Sequence, residues 1–164
     1  MRKTRFKNAN SEAVPYDGIW IDMNEPANFG TNEKEPFYYN YMNHSKIPPL
    51  SCPDSEWDVP PYPTHAAFLW KSQLASKTLC MLALLGNGTQ RHYNVKNLYG
   101  LSEAKITIQA QYKATKKRGL VVSRSTFPSS GRYAGHWLGD NTAQWEDLRA
   151  ACIGVQEFNM FGIP

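Results

Sequence analysis

Two short apolar segments that each end in a charged side chain constrain the fold of this chain most strongly. Residues 16–22 and 120–124 are rich in β-branched and aromatic residues, which is typical of buried strands, and they end at Asp22 and Arg124. A charged group at the end of a buried strand costs free energy unless it is paired or has a function. The pattern therefore predicts two buried strands with polar chemistry at their carboxyl ends.

Two helices are predicted from the spacing of apolar residues. The first covers residues 102–118, with Ser102 as its N-cap and Gly119 as the residue that ends it. Three residues form its apolar face, namely Ala104, Ile108 and Tyr112. The second runs from about residue 142 to 158, with Asn141 as its N-cap. Four apolar residues recur along it at intervals of three or four and are expected to face the core, namely Trp145, Leu148, Cys152 and Val155. Alternating strands and helices are typical of parallel βα units, so we predict an α/β fold, either a barrel or a doubly wound sheet.

The segment between the first strand and the first helix is expected to contain a long irregular insertion over residues 28–65. It is rich in proline, asparagine, serine and tyrosine and shows no periodicity. Loops of this length in compact domains are usually functional or disordered. The aromatic side chains of this insertion argue against disorder.

Charge and composition argue against several classes of function. The chain has 18 Lys and Arg residues against 14 Asp and Glu residues, and its basic residues form only short clusters, so a nucleic-acid partner is not predicted. No apolar run approaches the roughly 20 residues that cross a membrane, and no signal peptide is recognised. The histidines are scattered, and there is no Cys-x-x-Cys, phosphate-loop or Gly-x-Ser-x-Gly motif, so neither a metal site nor a cofactor is predicted.

Elimination leaves a mechanism with two carboxylates as the leading enzymatic interpretation. Asp22 is either a catalytic carboxylate or the cap of a turn. Arg124 is either a clamp for a carboxylate or sugar hydroxyl, or part of a structural ion pair. His136, Trp137 and Asp140 lie among glycines, which is typical either of a sugar site or of a glycine-rich turn with a core tryptophan.

Three cysteines and two glycosylation sequons favour the secretory pathway. An odd count allows one disulfide and one free thiol. Cys52 and Cys80 flank a loop-rich stretch, where a cross-link would help most, while Cys152 is interpreted as a small buried apolar residue. The sequons lie at Asn43 and Asn87.

The chain resembles glycoside hydrolase family 31 in several segments. The sequence WIDMNEP at residues 20–26 resembles the nucleophile signature of the family. The sequences SRSTF at 123–127 and GRYAGHWLGDN at 131–141 are similar to its acid/base segment, and HYNV at 92–95 and NLYG at 97–100 also match. The resemblance covers nearly the whole chain after residue 15. Within the family, the chain is most similar to the maltase-glucoamylase, sucrase-isomaltase and lysosomal α-glucosidase group.

This resemblance implies a retaining α-glucosidase built on a (β/α)8 barrel. Residues 1–164 would form the central part of that barrel, which would be incomplete. Asp22 would attack the anomeric carbon and Asp140 would serve as general acid and base, which requires their carboxyl groups to lie about 5–5.5 Å apart. The substrate would be an oligosaccharide with terminal α-1,4-linked or α-1,6-linked glucose, and no cofactor is implied.

The same resemblance assigns further roles. Four residues would bind substrate, namely Trp20, Met23, Arg124 and Trp137. Glu25 and His136 would support the site. The corresponding cysteines of the group pair, which implies a disulfide between Cys52 and Cys80. The implied location is the secretory pathway, whether lysosomal, cell-surface or extracellular.

The chain departs from the family in ways that keep alternatives open. The β-rich regions that flank the family's barrel are not found in this sequence, and roughly half of a barrel is recognised. We therefore expect the isolated 164-residue chain not to hydrolyse maltose. The alternative function is non-catalytic sugar or partner binding, and the alternative sugars are α-xylose and α-galactose. The intact pair of Asp22 and Asp140 favours the enzyme.

Overall fold

A computed structural model of the protein describes residues 16–33, 48–62 and 72–164. The chain divides into two compact units. The first unit contains residues 16–24 and Asn97–Pro164, and the second contains the described residues between 25 and 96.

Five strands and three α-helices occur in this part of the chain. The strands are β1 (Gly18–Ile21), β2 (Leu84–Leu85), β3 (Gln90–Arg91), β4 (Leu120–Ser123) and β5 (Gly135–His136). The helices are α1 (His92–Val95), α2 (Tyr99–Thr115) and α3 (Trp145–Met160). Short 3-10 turns occupy Glu56–Asp58, Lys96–Leu98 and Ser130–Arg132.

The first unit is built on a three-stranded parallel sheet in the order β1-β4-β5. Gly18 pairs with Leu120 and Ile21 pairs with Ser123, so β1 and β4 end at the same level. The predicted α/β fold with parallel strands is confirmed. The described residues form three strands of this sheet and no closed barrel.

The two faces of the sheet have different surroundings because side chains alternate along a strand. One face packs against α2 around a small core of Ala104, Val121 and Ala134, which Ile21, Ile108 and Tyr133 partly cover. Trp20 has the opposite parity to Ile21 and lies on the other face, where it is 62% exposed. The accessible face is therefore the one on which the polar residues after β1 and β4 can meet a ligand.

Helix α2 begins and ends earlier than predicted. It starts after Leu98 without a side-chain cap, so Ser102 is inside the helix, and it ends at Lys116 in the left-handed conformation with φ of 60°. Lys116 rather than Gly119 therefore ends the helix. Ala104 is buried and Ile108 packs on the core as predicted.

The prediction for the last residue of the apolar face of α2 was wrong. Tyr112 is 60% exposed, and the preceding residue, Gln111, is buried instead. The Gln111 side-chain amide donates a hydrogen bond of 2.8 Å to the backbone oxygen of Asp17 before β1. The amide nitrogen of Gln111 thus satisfies a backbone acceptor, while its buried Oε1 atom has no hydrogen-bond partner among the described residues.

Helix α3 also differs from its prediction at its start. It begins at Trp145 after Gln144, and Asn141 does not cap it. Asp147 in the first turn instead accepts bonds of 2.6 Å from both the backbone nitrogen and the hydroxyl of Thr142. These bonds lower the pKa of the Asp147 carboxyl. The entry to α3 is thus held by a carboxylate inside the helix rather than by a side chain before it.

The apolar stripe predicted for the core side of α3 is exposed, so that prediction was wrong. Trp145 is 82%, Leu148 54% and Val155 56% exposed, and Cys152 is a free, exposed thiol. Gly154 is the buried residue of the helix and lies against the side chain of Leu138. The helix therefore approaches the unit closely at a glycine, which apolar periodicity does not detect.

The second unit contains an antiparallel hairpin that sequence analysis did not predict. Strand β2 pairs with β3 across the turn at residues 86–89. Asn87 and Gly88 both have positive φ, 56° and 84°, which is the Asn-Gly signal of a tight hairpin turn. The Asn87 sequon lies exposed in this turn.

The Cys52–Cys80 disulfide is present in the second unit and joins residues 28 positions apart. Within the predicted insertion, the described residues 28–33 and 48–62 contain the 3-10 turn Glu56–Asp58 but no strand or α-helix. The remainder of residues 28–65, with Asn43, lies outside the described residues, so the extent of the insertion stays a prediction. No helix among the described residues is long and apolar enough to span a membrane.

Candidate active site

The parallel register of β1 and β4 places Asp22 and Arg124 side by side. Each is the first residue after its strand, and the backbone nitrogen of Arg124 donates to the oxygen of Ile21 over 3.2 Å. The guanidinium Nη1 of Arg124 lies 3.3 Å from Oδ1 of Asp22. The side chains are 33% and 34% exposed, so this ion pair remains reachable from solvent.

Asp22 also bonds to the backbone that follows it. The backbone nitrogen of Met23 donates to the same Oδ1 atom over 2.7 Å. Met23 has φ of 59°, a left-handed conformation that costs free energy for a residue with a branched or long side chain. A strained backbone and two donors on one oxygen hold the Asp22 carboxylate in a defined orientation.

Two of the predicted sugar-binding aromatic residues meet on the accessible side of the sheet. The rings of Trp20 and Trp137 lie 5.2 Å apart between centroids with an interplanar angle of 81°. Such edge-to-face packing fixes one ring against the other. Trp20 lies two residues before Asp22, so strand alternation places the two on the same side of the chain.

His136 is placed away from this pair, on the helix-facing side of β5. Its ring stacks on Phe158 of α3 at a centroid distance of 3.8 Å, and its Nδ1 atom lies 3.2 Å from the hydroxyl of Thr126. Burial lowers the pKa of the His136 imidazole. His136 therefore connects α3 with the loop after β4.

Two further predicted site residues are Asp140 and Glu25. Asp140 is exposed and follows Gly139, which has φ of 109°. Glu25 belongs to the second unit. There, burial lowers the pKa of the Lys96 ammonium, and the nearby charge of Glu25 partly offsets that effect.

Sequence analysis missed a ring of buried hydrogen bonds beside the ion pair. Asn24 is 2% exposed and Ser123 is fully buried. The Asn24 Nδ2 atom donates to the Ser123 hydroxyl over 2.9 Å, and that hydroxyl donates to the Ser125 backbone oxygen over 2.8 Å. The Ser125 backbone nitrogen donates to Asn24 Oδ1 over 2.9 Å and closes the ring. The available signal was Ser123 itself, a polar residue inside an otherwise apolar strand.

Gly100 in the first turn of α2 is also required by the geometry. A Cβ atom at this position would meet the backbone oxygen of Ser125 and would lie 2.7 Å from its Cβ atom. The absence of a side chain therefore allows α2 to approach the segment after β4 closely.

Two buried titratable groups lie in the second unit. His92 is fully buried, and within the described part of the chain neither of its ring nitrogens has a hydrogen-bond partner. Burial and the charge of Lys96 lower the pKa of the His92 imidazole. Asp58 is 2% exposed, and burial raises the pKa of its carboxyl. The described residues contain no cluster of three or more His, Cys, Asp or Glu side chains that could hold a metal ion.

Comparison with known proteins agrees with the resemblance in the motifs. Residues 2–164 match the family described as "Glycosyl hydrolases family 31 TIM-barrel domain". The chain is 42% identical to human intestinal sucrase-isomaltase over 158 residues, which are 93% of this chain and 8% of that protein. It is 41% identical to human probable maltase-glucoamylase 2 over 156 residues, which are 93% of this chain and 6% of that protein. It is 39% identical to rat lysosomal alpha-glucosidase over 151 residues, which are 92% of this chain and 14% of that protein. The chain thus spans a small part of the length of these relatives.

Proposed function

Because the chain belongs to glycosyl hydrolase family 31, we propose that the protein is a retaining α-glucosidase that releases terminal α-1,4-linked or α-1,6-linked glucose from oligosaccharides. The names of its relatives include α-glucosidase, sucrase-isomaltase and maltase-glucoamylase. The observation that carries the proposal is the Asp22–Arg124 ion pair at the ends of two neighbouring parallel strands. The carboxyl end of the strands is where barrels of this type carry their chemistry.

Asp22 is the proposed nucleophile. A nucleophilic carboxylate must be ionised and aimed, and the donors from Arg124 and Met23 converge on its Oδ1 atom. These donors complement the negative charge and leave the carboxylate on the accessible face of the sheet. Attack on the anomeric carbon would form a glycosyl ester and release the first product.

Asp140 is the proposed general acid and base. It lies on the exposed segment that follows Trp137 and Gly139, and an acid on such a segment can approach the leaving oxygen from the side. It would protonate that oxygen in the first step and deprotonate water in the second. Net retention then follows from two successive inversions.

The substrate is proposed to contact the aromatic pair and Arg124. Trp20 and Trp137 offer apolar surface for the carbon-bearing face of a glucose ring, and Met23 adds a polarisable side chain beside them. The guanidinium of Arg124 is the proposed partner of a sugar hydroxyl. We assign the protein to the secretory pathway, because disulfides such as Cys52–Cys80 persist in oxidising compartments and its relatives are named intestinal and lysosomal.

The roles of the two carboxylates can be separated in the protein expressed from its complete coding sequence. Asp22→Ala and Asp140→Ala should each nearly abolish hydrolysis of maltose. With α-glucosyl fluoride, whose leaving group needs no proton, Asp140→Ala should still form a glycosyl-enzyme on Asp22, and azide should release it as α-glucosyl azide. Asp22→Ala should form no ester with any leaving group.

Mass spectrometry of the trapped enzyme and the anomer of the first product give the decisive readouts. A label on Glu25 would refute the assigned nucleophile, and β-glucose as the first product would refute retention. Binding of maltose without turnover by the wild-type protein would instead support the non-catalytic alternative. Faster turnover of α-xylosides or α-galactosides would change the sugar but not the mechanism.

A further inference from the structure

The hydrogen-bond ring beside the ion pair connects the two strand ends that carry Asp22 and Arg124. Asn24 lies two residues after Asp22, and its bonded partners Ser123 and Ser125 lie on either side of Arg124. Any change in the ring therefore acts on the backbone at both members of the ion pair. The backbone bond from the Arg124 nitrogen to the Ile21 oxygen also joins the two strand ends at this level.

Two backbone groups of Ser125 fix the direction of every bond in the ring. The Ser125 N–H can only donate, so the Asn24 atom that faces it is the amide oxygen, and the other amide atom is the donor Nδ2. The Ser125 carbonyl can only accept, so the Ser123 hydroxyl donates to it and accepts from Asn24. An amide at residue 24 and a hydroxyl at residue 123 satisfy both requirements together.

Burial makes this ring stiff. Asn24 and Ser123 are excluded from water, so a broken bond would leave a buried polar group unsatisfied rather than hydrated. The ion pair next to it is one-third exposed on each side, and exposed pairs alone hold side chains loosely. The buried ring is therefore the better candidate for what sets the distance between Asp22 and Arg124.

We infer that Asn24 and Ser123 are positioning residues that hold the Asp22 nucleophile at its productive distance from Arg124 through the buried ring with Ser125. Neither side chain contacts substrate in this inference. Their contribution is to restrict the backbone at both strand ends, so that the carboxylate is aimed before substrate binds. The inference rests on the proposed function, because it assigns the geometry that the proposed nucleophile requires.

The second unit offers a matched control. Asn28 Nδ2 donates to the hydroxyl of Thr31 over 2.9 Å, and that hydroxyl donates to the backbone oxygen of Thr78. Thr31 is fully buried like Ser123, whereas Asn28 is only partly buried, so the hydroxyl of Thr31 is the matched part of the control. It differs in belonging to the second unit, whereas Asp22 and Arg124 belong to the first.

The test compares Ser123→Ala with Thr31→Val in the protein expressed from its complete coding sequence. Each variant removes one buried hydroxyl and keeps the shape of the remaining side chain. We expect Ser123→Ala to lower kcat on an α-glucoside about 100-fold with little change in KM, because the loss falls on the oriented transition state. Thr31→Val should lower the free energy of unfolding about as much as Ser123→Ala does, but it should change kcat by less than about threefold.

A double-mutant cycle separates one ring from two independent effects. If Asn24 and Ser123 act as a unit, the variant with both residues changed to alanine should lose no more kcat than Ser123→Ala alone. Additive losses would overturn the inference, as would a wild-type kcat in Ser123→Ala. If Asn24→Ala does not fold, the comparison of Ser123→Ala with Thr31→Val decides alone. If the wild-type protein hydrolyses no α-glycoside, both the proposed function and this inference are overturned. If the wild type is active and Ser123→Ala is equally active, only the inference is overturned.

Discussion

Adding one methyl group at Gly100 tests how tightly the segment after β4 is held. The new Cβ atom would meet the Ser125 backbone oxygen first and would lie 2.7 Å from the Ser125 Cβ atom. Ordinary contact begins at 3.4 Å, so Ser125 would have to move by at least about 0.7 Å, and more at its nearer backbone oxygen. The atoms in the way include backbone, which cannot rotate aside as a side-chain end can. We therefore expect Gly100→Ala to displace the segment that carries Arg124.

The expected magnitude follows from this displacement. A misplacement of about 1 Å can cost about 100-fold in rate, so a shift of about 0.7 Å predicts a loss of roughly 10- to 100-fold in kcat/KM. That loss corresponds to about 1.4–2.7 kcal/mol of transition-state stabilisation. Replacing glycine by alanine inside a helix normally gains up to about 1 kcal/mol of stability. Here we expect the free energy of unfolding to fall instead, because the clash opposes that gain.

Gly154 of α3 provides the control for helix propensity. It is also a buried helical glycine, but an added Cβ atom would meet only the side chain of Leu138, with the nearest atom, the terminal Cδ2, at 2.8 Å. The Leu138 side chain is 36% exposed and can rotate away. Gly154→Ala should therefore keep wild-type activity and lose little or no stability.

Steady-state kinetics on an α-glucoside and urea unfolding give the two measurements for both variants. The protein should be the one expressed from its complete coding sequence. If Gly100→Ala has the kcat/KM of the wild type and is at least as stable, the close approach of α2 to Ser125 is not a constraint on the site, and the reasoning is wrong. Equal losses of activity in the two variants would also refute it, because only Gly100 faces the backbone of Ser125.

Two further predictions concern stability in the second unit. Replacing both Cys52 and Cys80 by alanine should lower the free energy of unfolding by about 3.5 kcal/mol, because a cross-link between residues 28 apart reduces the entropy of the unfolded chain. Urea unfolding of this variant and of the wild type, with and without reductant, measures the effect. A wild-type protein whose stability does not change with reductant would contradict the prediction. The pKa of the His92 imidazole is lowered in the folded protein. The contribution of His92 to stability is therefore fully present above pH 6.5, its ordinary pKa, and is lost as the pH falls from 6.5 through the lower pKa of the folded state. His92→Phe should therefore reduce the loss of unfolding free energy on acidification, and an unchanged pH dependence would show that the buried ring is not its source.

The sequence allowed the coarse arrangement of the site to be predicted because two patterns carry it. Apolar runs located β1 and β4, and the charged residues at their ends predicted a shared polar edge. Parallel pairing then brought Asp22 and Arg124 to 3.3 Å. The pairing of Cys52 with Cys80 was implied by family resemblance and is present, while cysteine count alone left it open.

The errors in the helices have a common physical origin. Apolar periodicity reports which face of a helix could be buried, but burial also depends on what packs against it. Tyr112 and Trp145 fit the helical period and are exposed, whereas Gln111 and Gly154 are buried. An amide that reaches a backbone oxygen and a glycine that admits a neighbour give no apolar signal. Caps were missed for a similar reason, since the bonds that hold the start of α3 run from Thr142 to Asp147 inside the helix.

The site is specified at two levels that differ in how the sequence encodes them. Strand register brings Asp22 and Arg124 to the same edge, and any apolar strands of the right length and pairing would do this. The remaining freedom of the two strand ends is limited by three features that converge on Ser125. They are the amide of Asn24, the hydroxyl of Ser123 and the absence of a side chain at Gly100. Each of these residues has an ordinary structural explanation when it is taken alone, as a turn asparagine, a strand serine or a helix glycine. Only their convergence on the residue after Arg124 distinguishes them, and convergence is a property of the folded chain. A change at this second level should therefore leave the fold intact while reducing the rate, which is why kinetic measurements on stably folded variants are the appropriate test.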